Sequence, residues 1–457
     1  MPRRLLFTMI VSLALTPALF AAEKPNILFL LADDWRWDTI GCAGNSVVKT
    51  PHLDALAAEG VRFTQCRVTT SICCVSRASL LTGQHMARHG IDRFGKPITP
   101  ETWAKTYPAL LKSAGYYSGF VGKYGVGKPR MEDFDFLRAY EGIHWMLDGK
   151  GAKIHVTEKN ARDSLEFLKD RPTGKPFCLS VSFFAAHAED RAPEQYLPQP
   201  WSAKFYENTT IPVPTTASET FFRALPSFLS NDKNEGRVRW KKRFDTPEKF
   251  QTYMKNYYRL VTETDDAIGR ILAELKRQNA LENTLIVFTG DNGYFHADRG
   301  LADKWYPYEE ALRVPLIIRD PRAPKSRIGT TRNEMVLNID IPPTLVAAAG
   351  APVPVEMQGR ELSPLYLAEA APKWRDEFYY QHPTIGNKDR IPSSESVVRR
   401  DLKYNVYPEF QYEQFFDLKA DPLEEKNLVG EASQADQLRR MREKLATWRA
   451  EVKAPTP

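Results

Sequence analysis

The sequence predicts an α/β protein with a mixed, mostly parallel sheet between helices and a smaller C-terminal α+β subdomain. Apolar runs at 25–34, 177–184 and 284–290 each end in polar side chains, as buried parallel strands do when they carry a site at their carboxyl ends. A long amphipathic segment at 249–278 predicts a helix that covers this sheet. Beyond about residue 365 the pattern changes to short aromatic strands, followed by a charged helix at 433–452.

Length and charge set the first limits on function. The chain has 457 residues, of which 42% are hydrophobic and 26% charged, so it is globular and longer than one typical domain. We expect a leader at 1–22, a catalytic domain at 23–365 and a C-terminal subdomain at 366–457. A formal charge of +6 is too mild to predict binding to nucleic acid.

The first 22 residues have the pattern of a secretory signal peptide. Arg3 and Arg4 precede an apolar run at 5–15, and small residues follow through Ala22. The apolar run is too short to span a bilayer. We therefore expect an exported protein, periplasmic or secreted, without a stable membrane span.

Two separate strands end in pairs of oxygen ligands. Asp33 and Asp34 follow the first apolar run, and Asp291 and Asn292 follow the run at 284–290. An isolated Asp-Asp pair after a strand is more often the start of a helix. Two such pairs together favour a site for Ca²⁺, with Mg²⁺ as the alternative, because both cations take oxygen ligands.

A third group of residues surrounds Cys73. After the capped helix expected at 50–60, the stretch Ser71–Gly83 carries Cys73, then Arg77, then Thr82-Gly83. A helix that begins near Cys73 would favour negative charge at its first turn. The simpler interpretation is a buried thiol. Five cysteines in an exported chain leave one without a possible partner, which favours a special role for one of them.

Lysine and histidine follow two further strands. A strand at 116–121 leads into Gly122-Lys-Tyr-Gly-Val-Gly127, and the strand at 177–184 leads to His187. A histidine titrates in the range that general acid catalysis needs, although a single histidine at a strand end is more often structural.

The segment 196–250 reads as loop-rich and basic, with Trp240 among its cationic side chains. Either it forms a rim that binds an anionic sugar, with Trp240 stacked on a ring, or it is a solvated loop. For Arg299, farther along the chain, we likewise expect either contact with an acidic sugar or simple exposure. The cationic residues of the segment are Arg237, Arg239, Lys241, Lys242 and Arg243.

These motifs together resemble the type I, formylglycine-dependent sulfatases. Their signature is Cys-x-Pro/Ala-Ser-Arg-x-x-x-x-Thr-Gly, and Thr82-Gly83 aligns Cys73, not Cys74, with the cysteine that is oxidised to formylglycine. Val75 stands where Pro or Ala is usual, and Gly125 replaces a frequent histidine. The Gly-Lys-Tyr and Cys-Cys patterns also resemble the N-acetylglucosamine-6-sulfatase branch. The resemblance runs in collinear blocks from Pro25 to Leu428.

The resemblance implies an alkaline phosphatase-like fold and release of sulfate from a sulfated carbohydrate. It implies a calcium ion bound by Asp33, Asp34, Asp291, Asn292 and an oxygen of the modified Cys73. It also implies that Arg77, Lys123 and Lys304 surround the sulfate, and that His187 protonates the leaving oxygen. A formylglycine-generating or sulfatase-maturing enzyme would be a partner.

A hydrated aldehyde suits this chemistry because it carries two hydroxyls on one carbon. One hydroxyl attacks and keeps the sulfuryl group, and the other, once deprotonated, expels sulfate. Two other functions remain possible on sequence grounds. One is a phosphodiesterase or phosphonate hydrolase of the same superfamily. The other is a non-catalytic glycan-binding relative, which the departures at Val75, Gly125 and Arg299 motivate.

Overall fold

The computed structural model describes residues 24–140 and 142–454, so the expected leader at 1–22 lies outside it. No helix among the described residues is both long enough and apolar enough to cross a bilayer. The strands are β1 Asn26–Ala32, β2 Val61–Phe63, β3 Cys66–Arg67, β4 Tyr117–Gly122, β5 Phe136–Ala139, β6 Trp145–Leu147, β7 Lys153–His155, β8 Phe177–Ser182, β9 Thr284–Gly290, β10 Phe295–His296, β11 Ala302–Asp303, β12 Leu316–Arg319, β13 Thr330–Arg332, β14 Val336–Leu337, β15 Glu377–His382, β16 Ser394–Arg399, β17 Leu402–Tyr407 and β18 Tyr412–Asp417. The helices are α1 Pro51–Ala58, α2 Cys73–Thr82, α3 Met86–His89, α4 Pro100–Trp103, α5 Tyr107–Ser113, α6 Val156–Asp170, α7 Glu219–Ala224, α8 Glu235–Arg243, α9 Pro247–Arg277, α10 Glu309–Leu312, α11 Ile341–Ala348, α12 Ser363–Tyr366 and α13 Ala435–Glu451.

The main sheet has eight strands in the order β13-β2-β12-β9-β1-β8-β4-β5. The neighbours of β1, which are β8 and β9, both run parallel to it, and β4 and β5 continue in the same direction. Strand β12 pairs antiparallel with both β9 and β2. The sheet is therefore mixed and mostly parallel, and the predicted fold class is confirmed.

The strand register brings three carboxyl ends to one place. Ala32 at the end of β1 pairs with Gly290 at the end of β9, and Leu31 pairs with Ser182 at the end of β8. The residues that follow these strands must therefore emerge side by side at one edge of the sheet. The site described below is built at this edge.

Alternate side chains of the central strands pack into helical layers on opposite faces of the sheet. Leu28 and Leu30 join one apolar cluster with residues of α6 and α9, whereas Ile27 and Phe29 join another with residues of α2, α5 and α11. Each side chain of this size stabilises the fold by about 1.5–3 kcal/mol when it is buried. Burial on both faces explains why these strands are apolar without alternation.

The long helix α9 is specified by local sequence at its start and by its apolar stripe thereafter. Thr246 caps it by accepting a hydrogen bond from the backbone N–H of Lys249, and Pro247 occupies the first turn. The apolar face packs on the sheet, as predicted for 249–278.

The C-terminal part of the chain forms an antiparallel sheet, β15-β16-β17-β18, with α13 packed against it. The aromatic strands expected after residue 365 are present. Strand β16 was not predicted, because its sequence Ser-Glu-Ser-Val-Val-Arg lacks the aromatic pattern of its neighbours. The boundary at 365 itself stays a prediction.

Gly122 allows the ends of β4 and β8 to approach closely. It has φ +99°, and a Cβ at this position would lie 2.0 Å from the carbonyl oxygen of Ser182. The next residue, Lys123, donates its backbone N–H to that same oxygen at 2.9 Å. A side chain at 122 would therefore displace the segment that begins with Lys123.

We expect Gly122→Ala to lower the free energy of unfolding by at least about 2 kcal/mol, since a left-handed alanine costs about 1–2 kcal/mol before any clash is counted. Gly149→Ala is the matched control, because a Cβ there has no neighbour within 4 Å and no positive φ is required. Chemical denaturation of both variants measures the difference. Equal stability of the two variants would contradict this description of the β4 end.

Candidate active site

Three carboxylates and one amide meet at the ends of β1 and β9. Asp33, Asp34, Asp291 and Asn292 are all completely buried. A carboxylate oxygen from each aspartate lies within 4.8 Å of the others. The backbone N–H of Asp291 donates to the carbonyl oxygen of Ala32 at 3.0 Å, so the ladder between the strands continues into the site.

These residues fit a divalent cation. Three buried oxygens have no hydrogen-bond partner among the described residues: Asp33 Oδ1, Asp34 Oδ2 and Asn292 Oδ1. Asn292 turns its amide nitrogen to Asp34 Oδ1 at 2.7 Å, which leaves its oxygen for another contact. Buried acceptors without donors are costly, and oxygen-only donors are those that Ca²⁺ and Mg²⁺ prefer.

The electrostatics of the aspartates also favour a cation. Burial and the neighbouring carboxylates raise the pKa of Asp34 to about 7, against the opposing effect of Lys304. Burial and Asp33 raise the pKa of Asp291 to about 6. For Asp33, burial acts in the same direction, but Lys123, His187 and Arg77 hold its pKa well below the usual range. Positive charge is thus needed to keep all three ionised.

Cys73 is the first residue of α2 and points to this group. Its Sγ, an oxygen of Asp33 and a ring nitrogen of His187 lie within 4.8 Å of one another. Burial raises the pKa of the Cys73 thiol despite Lys123 and Lys304, so the unmodified residue is not a thiolate nucleophile at neutral pH. All five cysteines of the chain are free.

The adjacent residues Cys74 and Val75 lie in an apolar environment instead. Both are completely buried and belong to a cluster with Ile72 and Phe295. Cys73 faces the acidic group while Cys74 faces this cluster, because successive residues of a helix point about 100° apart. Val75 therefore occupies an apolar position that suits its side chain.

Arg77 lies one turn after Cys73 and connects the strands. Its Nε donates to Asp291 Oδ2 at 2.8 Å, and its Nη2 lies 3.3 Å from Asp33 Oδ2. Its Nη1 donates to the carbonyl oxygen of Lys123 at 2.7 Å and also to Ser182 Oγ. The guanidinium thus contacts residues at the ends of four strands, β1, β4, β8 and β9.

Two lysines complete the positive charge. Lys123 forms an ion pair with Asp33, and its ammonium lies 5.4 Å from the centre of the Phe184 ring. Lys304 Nζ donates to Asp34 Oδ1 at 2.5 Å. Both lysines are buried, and their carboxylate partners raise the pKa of each against the effect of burial.

His187 lies at the more open side of the group. Its Nδ1 is 2.7 Å from the carbonyl oxygen of Ala188, so Nδ1 carries a proton and donates it there. Its Nε2 faces Asp34 Oδ2 at 3.5 Å, and the side chain is 15% exposed. Burial, together with Lys304 and Lys123, lowers the pKa of this ring well below its usual value.

Gly125 occupies the position where many sulfatases have a histidine, and the structure gives a reason. Its φ is +75°, and a Cβ there would lie 2.7 Å from Cδ of Arg77. The backbone conformation favours glycine, and a side chain at this position would require Arg77 to shift.

The basic segment at 196–250 is not the solvated loop that was one of the two sequence interpretations. Residues 235–243 form helix α8, and Arg243 at its end is completely buried. The ring of Trp240 is covered by Arg237, whose guanidinium lies 3.8 Å from the ring centre. A wholly solvated loop was therefore wrong. The binding of an anionic sugar by this segment stays a prediction, although Arg237 covers one face of Trp240.

Arg299 is not exposed either. It is 3% exposed, donates to Glu310 Oε1 at 3.2 Å and to the carbonyl oxygen of Leu423 at 2.7 Å. Its guanidinium therefore connects α10 to the C-terminal part of the chain and is not available to a sugar at the surface.

Sequence reasoning missed Ser182 and Asp303. Ser182 accepts a hydrogen bond from Arg77, and Asp303 Oδ1 lies 3.4 Å from Lys304 Nζ. The Asp-Lys neighbours at 303–304 were a possible signal for Asp303. The sequence carries no signal for Ser182, because a serine within a strand has many other roles.

Comparison with known proteins agrees with the fold and the motifs. Residues 25–351 match the family described as Sulfatase, and residues 297–451 match the C-terminal region of N-sulphoglucosamine sulphohydrolase. The chain is similar to an N-acetylglucosamine-6-O-sulfatase of Bacteroides thetaiotaomicron, at 27% identity over 95% of this chain and 88% of that protein.

Solved structures share the architecture. One, described as a complex with its substrate D-glucosamine-2-N,6-O-disulfate, has a TM-score of 0.78 and 26% identity over 94% of this chain and 98% of that chain. The phosphonate monoester hydrolase of Agrobacterium radiobacter also has a TM-score of 0.78, at 23% identity over 94% of this chain and 96% of that one, and shares the fold. From the family match over residues 25–351, this chain belongs to the sulfatase family and is a sulfuric ester hydrolase.

Proposed function

We propose that this protein removes sulfate from a sulfated carbohydrate, with formylglycine made from Cys73 and with a bound Ca²⁺. The observation that carries the proposal is the meeting of Cys73, three buried aspartates and three buried cations at one edge of the sheet. Negative ligands on one side and cations around the same space suit the binding of both a metal ion and an anionic ester.

The sugar we propose is a sulfated glucosamine unit. A similar protein is described as an N-acetylglucosamine-6-O-sulfatase, and a similar structure as a complex with a glucosamine disulfate. The leader expected at 1–22 fits a periplasmic or secreted enzyme that meets such glycans outside the cytoplasm. Defined glucosamine sulfates are therefore the substrates to test first.

Asp33, Asp34, Asp291 and Asn292 would hold the calcium ion, or Mg²⁺ in its place. The three buried oxygens without donors among the described residues support this assignment. When bound, the ion would stabilise negative charge on oxygen in the site. The four side chains hold it in place because they follow strands of one sheet.

Formylglycine at position 73, installed by a maturation enzyme, would supply an oxygen nucleophile and a route for sulfate release. The position of Cys73 at the start of α2, beside Asp33 and His187, supports this assignment.

Arg77, Lys123 and Lys304 would bind the sulfate oxygens. At 4 Å and an effective dielectric constant of 20, each charge pair is worth about 4 kcal/mol. The three side chains are buried and held by ion pairs, so little reorganisation is needed when negative charge develops.

His187 would donate a proton from Nε2 to the leaving sugar oxygen. Its Nδ1 is fixed by Ala188, so the other nitrogen is available for the transfer. Burial and the two lysines lower the pKa of this ring, and an arriving sulfate anion opposes the effect of the lysines and favours the protonated form.

The metal assignment predicts that Asp291→Ala loses bound metal and activity together. Removing a ligand should weaken Ca²⁺ binding by at least the roughly 10–100-fold that loss of an outer-shell partner costs. Metal content by mass spectrometry, with calorimetry, measures this. Asp320→Ala, another buried aspartate, is the control. Full activity of Asp291→Ala after chelation would exclude this site.

The acid role predicts a dependence on the leaving group. His187→Ala should slow release from a sugar sulfate by about 10²–10⁴-fold, the usual contribution of general acid catalysis. An aryl sulfate should lose far less, because its phenolate leaves without a proton. Rates on both substrates are compared with those of His52→Ala, which changes an exposed histidine. Equal losses on both substrates would limit His187 to binding or folding.

The assignment of the modified residue predicts that Cys73→Ala abolishes turnover, whereas Cys74→Ala keeps the aldehyde and part of the activity. Mass spectrometry of the peptide at residues 67–77 detects the conversion, in protein co-expressed with a maturation system. Sulfate and phosphate esters of the same alcohols are assayed in parallel. An unmodified thiol at Cys73 in protein from the native host would overturn the mechanism, and faster phosphate release would overturn the proposed reaction.

A further inference from the structure

We propose that Arg243 is a positioning residue that holds the Lys304 and His187 segments in register for the reaction. This inference deepens the proposed function and rests on the role proposed there for Lys304. Arg243 is the last residue of α8, far from the site residues in sequence, and it is completely buried. No part of the mechanism above uses it.

All three nitrogens of the Arg243 guanidinium are engaged. Nη1 donates to Asp303 Oδ2 at 2.7 Å and to Tyr294 Oη at 2.6 Å. Nη2 donates to Asp190 Oδ1 at 2.7 Å, and Nε donates to Gln195 Oε1 at 3.0 Å. A buried guanidinium with this many directed bonds has one allowed orientation, so it fixes the groups that it contacts.

The first of these contacts leads to Lys304. Asp303 shares its two oxygens, Oδ2 with Arg243 at 2.7 Å and Oδ1 with Lys304 Nζ at 3.4 Å. Asp303 has a φ of +75° and is 4% exposed, so its conformation depends on these contacts. Without Arg243, more of the charge of Asp303 would act on Lys304 and compete with a sulfate oxygen for it, because the other arginine beside Asp303, Arg239, is 3.9 Å from Oδ2.

The second contact leads to the His187 segment. Asp190 lies three residues after His187, and Gln195 closes the same loop through its carbonyl oxygen, which accepts from the N–H of Glu189 at 2.7 Å. Arg243 therefore donates hydrogen bonds to both ends of the loop at 190–195 and, at the same time, to Asp303. One side chain bridges the two segments that would carry the sulfate-binding lysine and the acid.

A purely structural role for Arg243 is the alternative, because removal of one partner from any buried ion pair destabilises a fold. The two roles differ in how Arg243 and Lys304 combine. If Arg243 acts through Lys304, its loss should matter little once Lys304 is gone. If Arg243 only supports the fold, the fold-loss in kcat/KM of the double variant should equal the product of the fold-losses of the two single variants.

The test is a double-mutant cycle of Arg243→Met, Lys304→Met and the double variant. The cycle is measured on an activated aryl sulfate, because the part that acts through His187 is small there. We expect Arg243→Met to lower kcat/KM by about 10–100-fold, the range for loss of an outer-shell partner. In the Lys304→Met background the same change should lower kcat/KM by less than about 3-fold. Lys242→Met, an exposed change on the same helix, is the control and should match the wild type.

Binding of inorganic sulfate to the same variants, by calorimetry, separates failure of this inference from failure of the proposed function. If the wild type releases no sulfate from any ester, the proposed function is wrong. The sulfate-binding measurements on the same four proteins still test whether Arg243 acts through Lys304. If Arg243→Met does not fold, Arg243→Lys replaces it, because lysine keeps the buried positive charge but cannot make the separate hydrogen bonds to Asp303, Asp190 and Gln195. Multiplicative losses in both rate and sulfate binding would overturn the positioning role.

Discussion

The structure depends on burying three carboxylates next to one another at the ends of two strands. Asp33, Asp34 and Asp291 are completely removed from solvent, and an unpaired buried charge costs several kcal/mol. The positive charges of Arg77, Lys123 and Lys304 offset this cost, since each side chain contacts one or two of the carboxylates. The cations are themselves buried, so the loss of either set would leave unpaired buried charges of the other and destabilise the fold. This mutual need holds the sheet edge, helix α2 and two loops in one arrangement.

Backbone geometry then decides how closely these groups approach. Gly122 and Gly125 have positive φ, and their missing side chains leave space for the Ser182 carbonyl and for Arg77. Gly293 lies against the carbonyl oxygen of Glu310, 2.2 Å from where a Cβ would stand. Asp34 itself has a φ of +61°, which turns its side chain out of the strand direction. Such strain is tolerated because the surrounding ion pairs and strand pairing overdetermine the conformation.

A second layer of buried charges ties this edge to the rest of the molecule. Arg243 joins two loops beside the site, and Arg299 joins the α10 region to the C-terminal part through Glu310 and Leu423. Lys403 of β17 forms a buried ion pair with Glu424 and lies 3.5 Å from Glu309 of α10. The C-terminal sheet is thus connected by charge, and not only by apolar packing, to the region that carries Lys304. Rigid support of this kind is what precise positioning of catalytic groups requires.

Much of the fold and the candidate ligands could be predicted from sequence, because local patterns encode them. Continuous apolar runs identify strands buried on both faces, and the polar residues that end them identify Asp33, Asp34, Asp291 and Asn292. The spacing of Cys73, Arg77 and Thr82-Gly83 lies within one helix and needs no tertiary information. Strand β16 was missed because its sequence, Ser-Glu-Ser-Val-Val-Arg, has neither an aromatic residue nor a regular alternation of polar and apolar residues. The basic segment was misread because the partners of Arg243, which are Asp190 and Asp303, are 53 and 60 positions away in the chain.

Sequence by itself therefore determined which side chains stand at the strand ends, since that depends on near neighbours. Only the tertiary structure decided which buried charges pair, since those pairs form between residues that folding alone brings together.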